Sequence, residues 1–102
     1  MPKIAAPDFI ASLDRIAGDI SGFTARQVAL RDTWYPVHNR LFALSGFAPN
    51  NMADRYVTNA AFMVWQLQDT RGPKHKEQVK QRLLSAIETA QRYARAYGSQ
   101  SV

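Results

Sequence analysis

The chain has 102 residues, 46% hydrophobic and 11% aromatic, a balance that fits one folded domain and excludes a disordered chain. Cysteine is absent, which excludes disulfides and thiolate metal sites and suits a reducing compartment. The net charge of +5 comes entirely from the last third.

Through residue 70, Lys3, Arg15, Arg26, Arg31, Arg40 and Arg55 balance Asp8, Asp14, Asp19, Asp32, Asp54 and Asp69. From there on, Arg71, Lys74, Lys76, Lys80, Arg82, Arg92 and Arg95 stand against only Glu77 and Glu88. Such asymmetry points to an anionic neighbour or to a solvated face. The opening MPKIAAPDFI lacks the apolar run of a signal peptide, and no uncharged stretch approaches the ~20 residues that span a bilayer. A soluble, cytoplasmic protein with no membrane span is the expectation.

Residues 1–6 read as a short flexible lead. Pro7 and Asp8 then mark a helix start, because Pro is tolerated in a first turn and Asp suits the positive end. Phe9, Leu13, Ile16, Ala17 and Ile20 form its apolar stripe, and Ser21-Gly22 stops it.

Thr24 with Gln27 three residues on is a capping-box pattern, so a second helix begins there. Leu30, Trp34, Val37, Leu41 and Leu44 make its stripe, and the register runs through Pro36. The spacing predicts one long helix over 25–45, kinked near Pro36, with a break at Thr33–Tyr35 as the alternative. The same stretch lacks the tight turn that a helix-turn-helix DNA reader needs before its recognition helix.

Ala48-Pro49-Asn50-Asn51 is a turn with an Asn cap for the third helix. In that helix Met52, Tyr56, Ala60, Met63 and Leu67 form one row. Ala53, Val57, Ala61 and Val64 lie beside it. Arg55, Thr58, Asn59, Gln66 and Asp69 define an opposite, polar side, yet Phe62 and Trp65 sit in the middle of it. A helix apolar nearly all round is usually buried, so the third helix is expected innermost, or else it shows two aromatics to a partner. It ends at Thr70-Arg71-Gly72-Pro73, where Gly72 can adopt a left-handed conformation and Pro73 can open the fourth helix. Val79, Leu83, Ala86, Ile87, Ala90, Tyr93, Ala94 and Tyr97 share one face of that helix, Gly98 caps it and Ser99–Val102 is a tail.

The result is an all-α chain: a small antiparallel four-helix bundle with a Pro-kinked second helix and helices over roughly 8–21, 25–45, 51–70 and 73–97. His38 and His75 have no metal-ligand spacing partners, so no metal is expected; His38 should be helix-packed or half-exposed and His75 solvated. The serines lack a nucleophile elbow, the glycines stand singly, and no carboxylate pair sits on an apolar face. The chain therefore reads as a non-enzyme without a cofactor: an adaptor or regulator that binds another protein or a second copy of itself through Phe62, Trp65 and Arg55. A homodimer fits an aromatic surplus on the third helix. The other reading is a nucleic-acid binder using Arg71, Lys74, Lys76, Lys80, Arg82, Arg92 and Arg95.

Overall fold

A computed structural model describes residues 3–69 and 71–98. Thr70, expected to close the third helix, and the expected tail Ser99–Val102 lie outside the described residues, as do residues 1 and 2. The described chain is all-helical, with five helices packed together: α1 (Ala6–Ser21), α2 (Ala25–Ala29), α3 (Arg31–Leu44), α4 (Asn51–Asp69) and α5 (Pro73–Tyr97). Of the expected lead, Ile4 is tied down. Its amide donates to the Phe47 carbonyl at 2.7 Å and its side chain packs against the core. α1 accordingly starts at Ala6, two residues before the expected boundary, with Pro7 and Asp8 in its first turn.

The expected helix over 25–45 is divided, and not at Pro36. Leu30 has φ −91° and ψ 126°, an extended residue between α2 and α3. The reason lies one turn to either side. Thr24 and Gln27 form the full capping box and start α2. In a continuous helix the Val28 carbonyl would accept from the Asp32 amide. Instead it accepts the buried indole N–H of Trp34 at 2.8 Å. Phe23 meets the same indole edge to face, with ring centroids 5.3 Å apart. A buried indole needs an acceptor, and a chain break lets the end of α2 supply one. Pro36 is accommodated inside α3. Leu30 leaves the stripe and is 51% exposed, whereas Trp34, Val37 and Leu41 are buried as the spacing predicts.

The helices run antiparallel. Ser45 and His38 of the α3 side meet Thr58 and Ala61 of α4 in reverse order, and Gln91 of α5 meets Ile10 and Asp14 near the start of α1. α4 packs between α3 and α5; α1 packs on α5 and α3, and no Cα of α1 comes within 8 Å of one in α4. The third predicted helix, α4, is thus not innermost. It has two helical neighbours and faces α1 across the core. Its small residues Ala53, Val57, Ala60, Ala61 and Val64 are fully buried and let α3 and α5 approach closely. α5 spans most of the 41 Å long axis, about 37 Å at 1.5 Å per residue. Leu83, Ala86, Ile87, Ala90 and Ala94 form its buried face. Tyr93 stacks between Tyr56 and Tyr97, with centroids 5.4 and 5.9 Å away.

Asn50 fixes the far end of this packing. It is 1% exposed and caps α4, its Oδ1 accepting from the Ala53 amide at 2.8 Å. Its Nδ2 donates to the carbonyls of Tyr93 at 3.1 Å and Gly98 at 2.8 Å. One side chain therefore satisfies an N-terminal orphan amide of α4 and C-terminal carbonyls of α5. At the other end, Gly72 takes φ 84°, a conformation that disfavours any residue with a Cβ, and the chain reverses into α5.

Asn50→Ala leaves one buried and two part-buried backbone groups without these partners and should cost about 1–3 kcal/mol in urea unfolding; a loss under ~0.5 kcal/mol would mean water replaces the bonds. Leu30→Ser tests the position of the break. At an exposed linker it should change stability by less than about 0.5 kcal/mol, whereas a core leucine would cost roughly 2–5 kcal/mol.

Candidate functional site

Phe62 lies on the side of α4 turned away from α3 and α5, and Trp65 at the edge of that side where α3 partly covers it. Phe62 is 55% exposed and Trp65 is 36% exposed. The heptad-like spacing of α4 produces this placement. Its buried rows fill the core-facing arc, and Arg55, Asn59, Phe62, Gln66 and Asp69 occupy the outer arc. Trp65 lies at the border next to α3.

The structure brings three α3 side chains to Trp65 and its neighbours. Tyr35, His38 and Phe42 follow one another at three- and four-residue steps, flanking the Trp34–Val37–Leu41 stripe of α3. The His38 ring lies 4.8 Å from Trp65 and 5.7 Å from Phe42, and the Tyr35 ring is edge-on to Trp65 at 6.5 Å. His38 is itself anchored. Its Nδ1 stands 2.8 Å from the Ala61 carbonyl, an atom that can only accept, so Nδ1–H donates across the α3–α4 seam. Below it, Ser45 and Thr58 hydroxyls meet at 2.6 Å, and Asp54 accepts from the Gly46 amide at 2.6 Å. These ties hold the two ridges in fixed register.

The resulting surface is aromatic at its centre and uncharged around it. Tyr35 and Phe42 are each 52% exposed. Asn39, Asn59 and Gln66 border it and are exposed. Charge enters only at the ends, with Arg55 and the Gly46-bonded Asp54 at the N-terminal end of α4 and Asp69 and Arg31 at the other. Sequence reasoning found Phe62, Trp65 and Arg55 but missed Tyr35, His38 and Phe42. Their signal was a second ridge on α3, of period 3–4, flanking the core stripe about 100° round the helix.

The basic residues of α5 do not converge. Lys76 donates to the Ala29 carbonyl at 3.3 Å. Lys80 is 7% exposed, its aliphatic stem packed inward. Arg82 edges a groove between α4 and α5 with Tyr56 and Met63, while Arg95 edges one between α1 and α5 with Ile10. Arg92 faces outward and meets Glu88 at 3.5 Å. Lys74 and Arg71 are exposed near the start of the helix. His75 is exposed. Among the described residues, no three His, Cys, Asp or Glu side chains gather where they could hold a metal ion, and no helix is long and apolar enough to cross a membrane.

No protein-family model, no curated protein and no solved structure matches the chain.

The two tryptophans provide a direct check of the geometry. In a Trp34→Phe variant held in dilute solution, Trp65 should emit at long wavelength and be open to acrylamide. A protected, blue-shifted Trp65 under those conditions would place it inside the core.

Proposed function

We propose that the chain is a non-enzymatic helical binding module: an antiparallel four-helix bundle, its second position shared by α2 and α3. It acts as an adaptor or regulator by docking the aromatic face of α3 and α4 onto another polypeptide. The observation that carries this reading is the exposure of Tyr35, Phe42, Phe62 and Trp65 together on one side of two adjacent helices. Large apolar side chains clustered on a surface and bordered by polar ones mark interaction sites. Tyr and Trp are the residue types that dominate binding energy once water is excluded around them. Charge is depleted at the centre of this face and present at its rim, as in protein interfaces.

Pre-organisation supports the same reading. His38, held by the Ala61 carbonyl, fixes one flank of Trp65, and Tyr35 fixes another. An anchor that is already oriented loses little side-chain freedom on binding. The dispersal of the α5 cations, with Lys80 buried and Lys76 occupied, favours this face over a nucleic-acid groove on α5.

A photo-crosslinking amino acid placed at Phe62 tests the reading in the producing cell. The expected result is a discrete covalent adduct with a protein, and none from the same group placed at Glu88 on the outer side of α5. Adducts with nucleic acid alone, or none at all from position 62, would refute it. Phe62→Ser should meanwhile leave unfolding stability within about 0.5 kcal/mol, because Phe62 is more than half exposed in the free chain and fills no core position.

A further inference from the structure

Resting on the docking reading above, we infer that the occupant of the aromatic face is a second copy of this chain. Its α4 lies antiparallel to the first, with Phe62 on the two-fold axis and Arg55 of each copy paired with Asp69 of the other.

The argument is one of self-complementarity. In an isologous interface, residue i of one copy meets residue j of the other and j meets i, so a face can pair with itself only if its charges reverse about its centre. Arg55 and Asp69 are each seven residues from Phe62, one on either side. Seven residues fall about 20° short of two full turns, so all three lie on one outer arc of α4. Arg55 and Asp69 stand about 10.5 Å before and after Phe62 along the axis. Both are exposed, and among the described residues neither makes a hydrogen bond or an ion pair within the chain. A two-fold through Phe62 therefore sets cation over anion at both ends.

The same operation matches the remaining positions. Across the axis Asn59 meets Gln66 on the α5 side and Thr58 meets Trp65 on the α3 side, which sets no charge against a ring. On α3, His38 stands level with Ala61, with Tyr35 and Phe42 on either side of it. The two-fold brings Tyr35 of one copy opposite Phe42 of the other, so that the four half-exposed aromatics cover one another. Arg31, in the first turn of α3, is the remaining charge at the Asp69 end and is unchanged in every variant below.

Charge reversal tests the register. Sedimentation equilibrium up to millimolar concentration should show a reversible monomer–dimer equilibrium for the unaltered chain. Arg55→Asp or Asp69→Arg alone replaces two rim attractions with two repulsions and should raise Kd about tenfold. The double variant Arg55→Asp/Asp69→Arg restores opposite charges and should return Kd to within about threefold of the starting value. Each reversal moves charge in the sense the α4 dipole favours, so a helix melt cannot imitate the loss; circular dichroism checks this.

A chain monomeric at every concentration overturns the inference, and so does a dimer that the double variant fails to restore. The crosslink from position 62 separates the two levels. An adduct of twice the chain mass supports the second copy. A protein adduct of any other mass removes the second copy and leaves the docking reading in place. Absence of any protein adduct removes both.

Discussion

α5 has one broad apolar face, and two helices compete for it. α4 takes one part, where Tyr56 stacks on Tyr93 and Met63 lines a groove with Ala86, and α1, with Phe9, Leu13 and Ile16 buried in the core, takes the other. Gln91 commits α1 to this place: its amide donates to the Ile10 carbonyl at 3.0 Å and to Asp14 at 2.7 Å. Once α1 is held there it cannot also cover the outer side of α4. The exposure of Phe62 and Trp65 follows from that single allocation. Alanine at the α4–α5 seam makes the allocation favourable, because two backbones that approach closely recover more dispersion contact than a looser three-sided arrangement.

Polar ties decide the details that apolar burial leaves open. Burial is non-directional, so a hydrophobic stripe fixes which side of a helix turns inward but not where along its neighbour it stops. The Trp34 indole on the Val28 carbonyl sets the angle between α2 and α3. Asn50 sets the axial position of α5 against α4 through three bonds at one side chain. His38 on the Ala61 carbonyl and Ser45 with Thr58 set α3 against α4. The indole bond spans six residues; the others that join two helices span 13 to 48. The Trp34 and Asn50 ties would leave a buried polar group unpaired if the register slipped by one residue, which is what gives them selectivity.

The same ties make the α3–α4 face a rigid one. Its aromatic rings meet at centroid distances of 4.8 to 6.5 Å around His38, which is itself bonded to the Ala61 carbonyl. Its centre carries no charge, and its two α4 ends carry opposite charges. A solvent-exposed face with that distribution differs in kind from the outer side of α5, where cations alternate with Glu77, Glu88 and glutamines and where Arg92 and Glu88 form a solvated pair.

The sequence by itself determined the helices, because a 3.6-residue apolar period, capping residues and Gly or Pro stops are local signals that the backbone must obey. The stripes of α1 and α5, the Asn cap of α4 and the surplus of Phe62 and Trp65 were all legible in this way. It did not determine that α2 and α3 part at Leu30, because the stripe continues in register through that residue. Only the tertiary partner of the Trp34 indole, with an acceptor six residues back, selects the break. Nor did it determine which helix lies in the middle, since apolar count per helix says how much must be buried and not by whom. Tyr35, His38 and Phe42 escaped for the same reason: two half-polar residues and one lone phenylalanine on the surface of α3 become part of a face only when antiparallel packing sets that ridge beside Trp65.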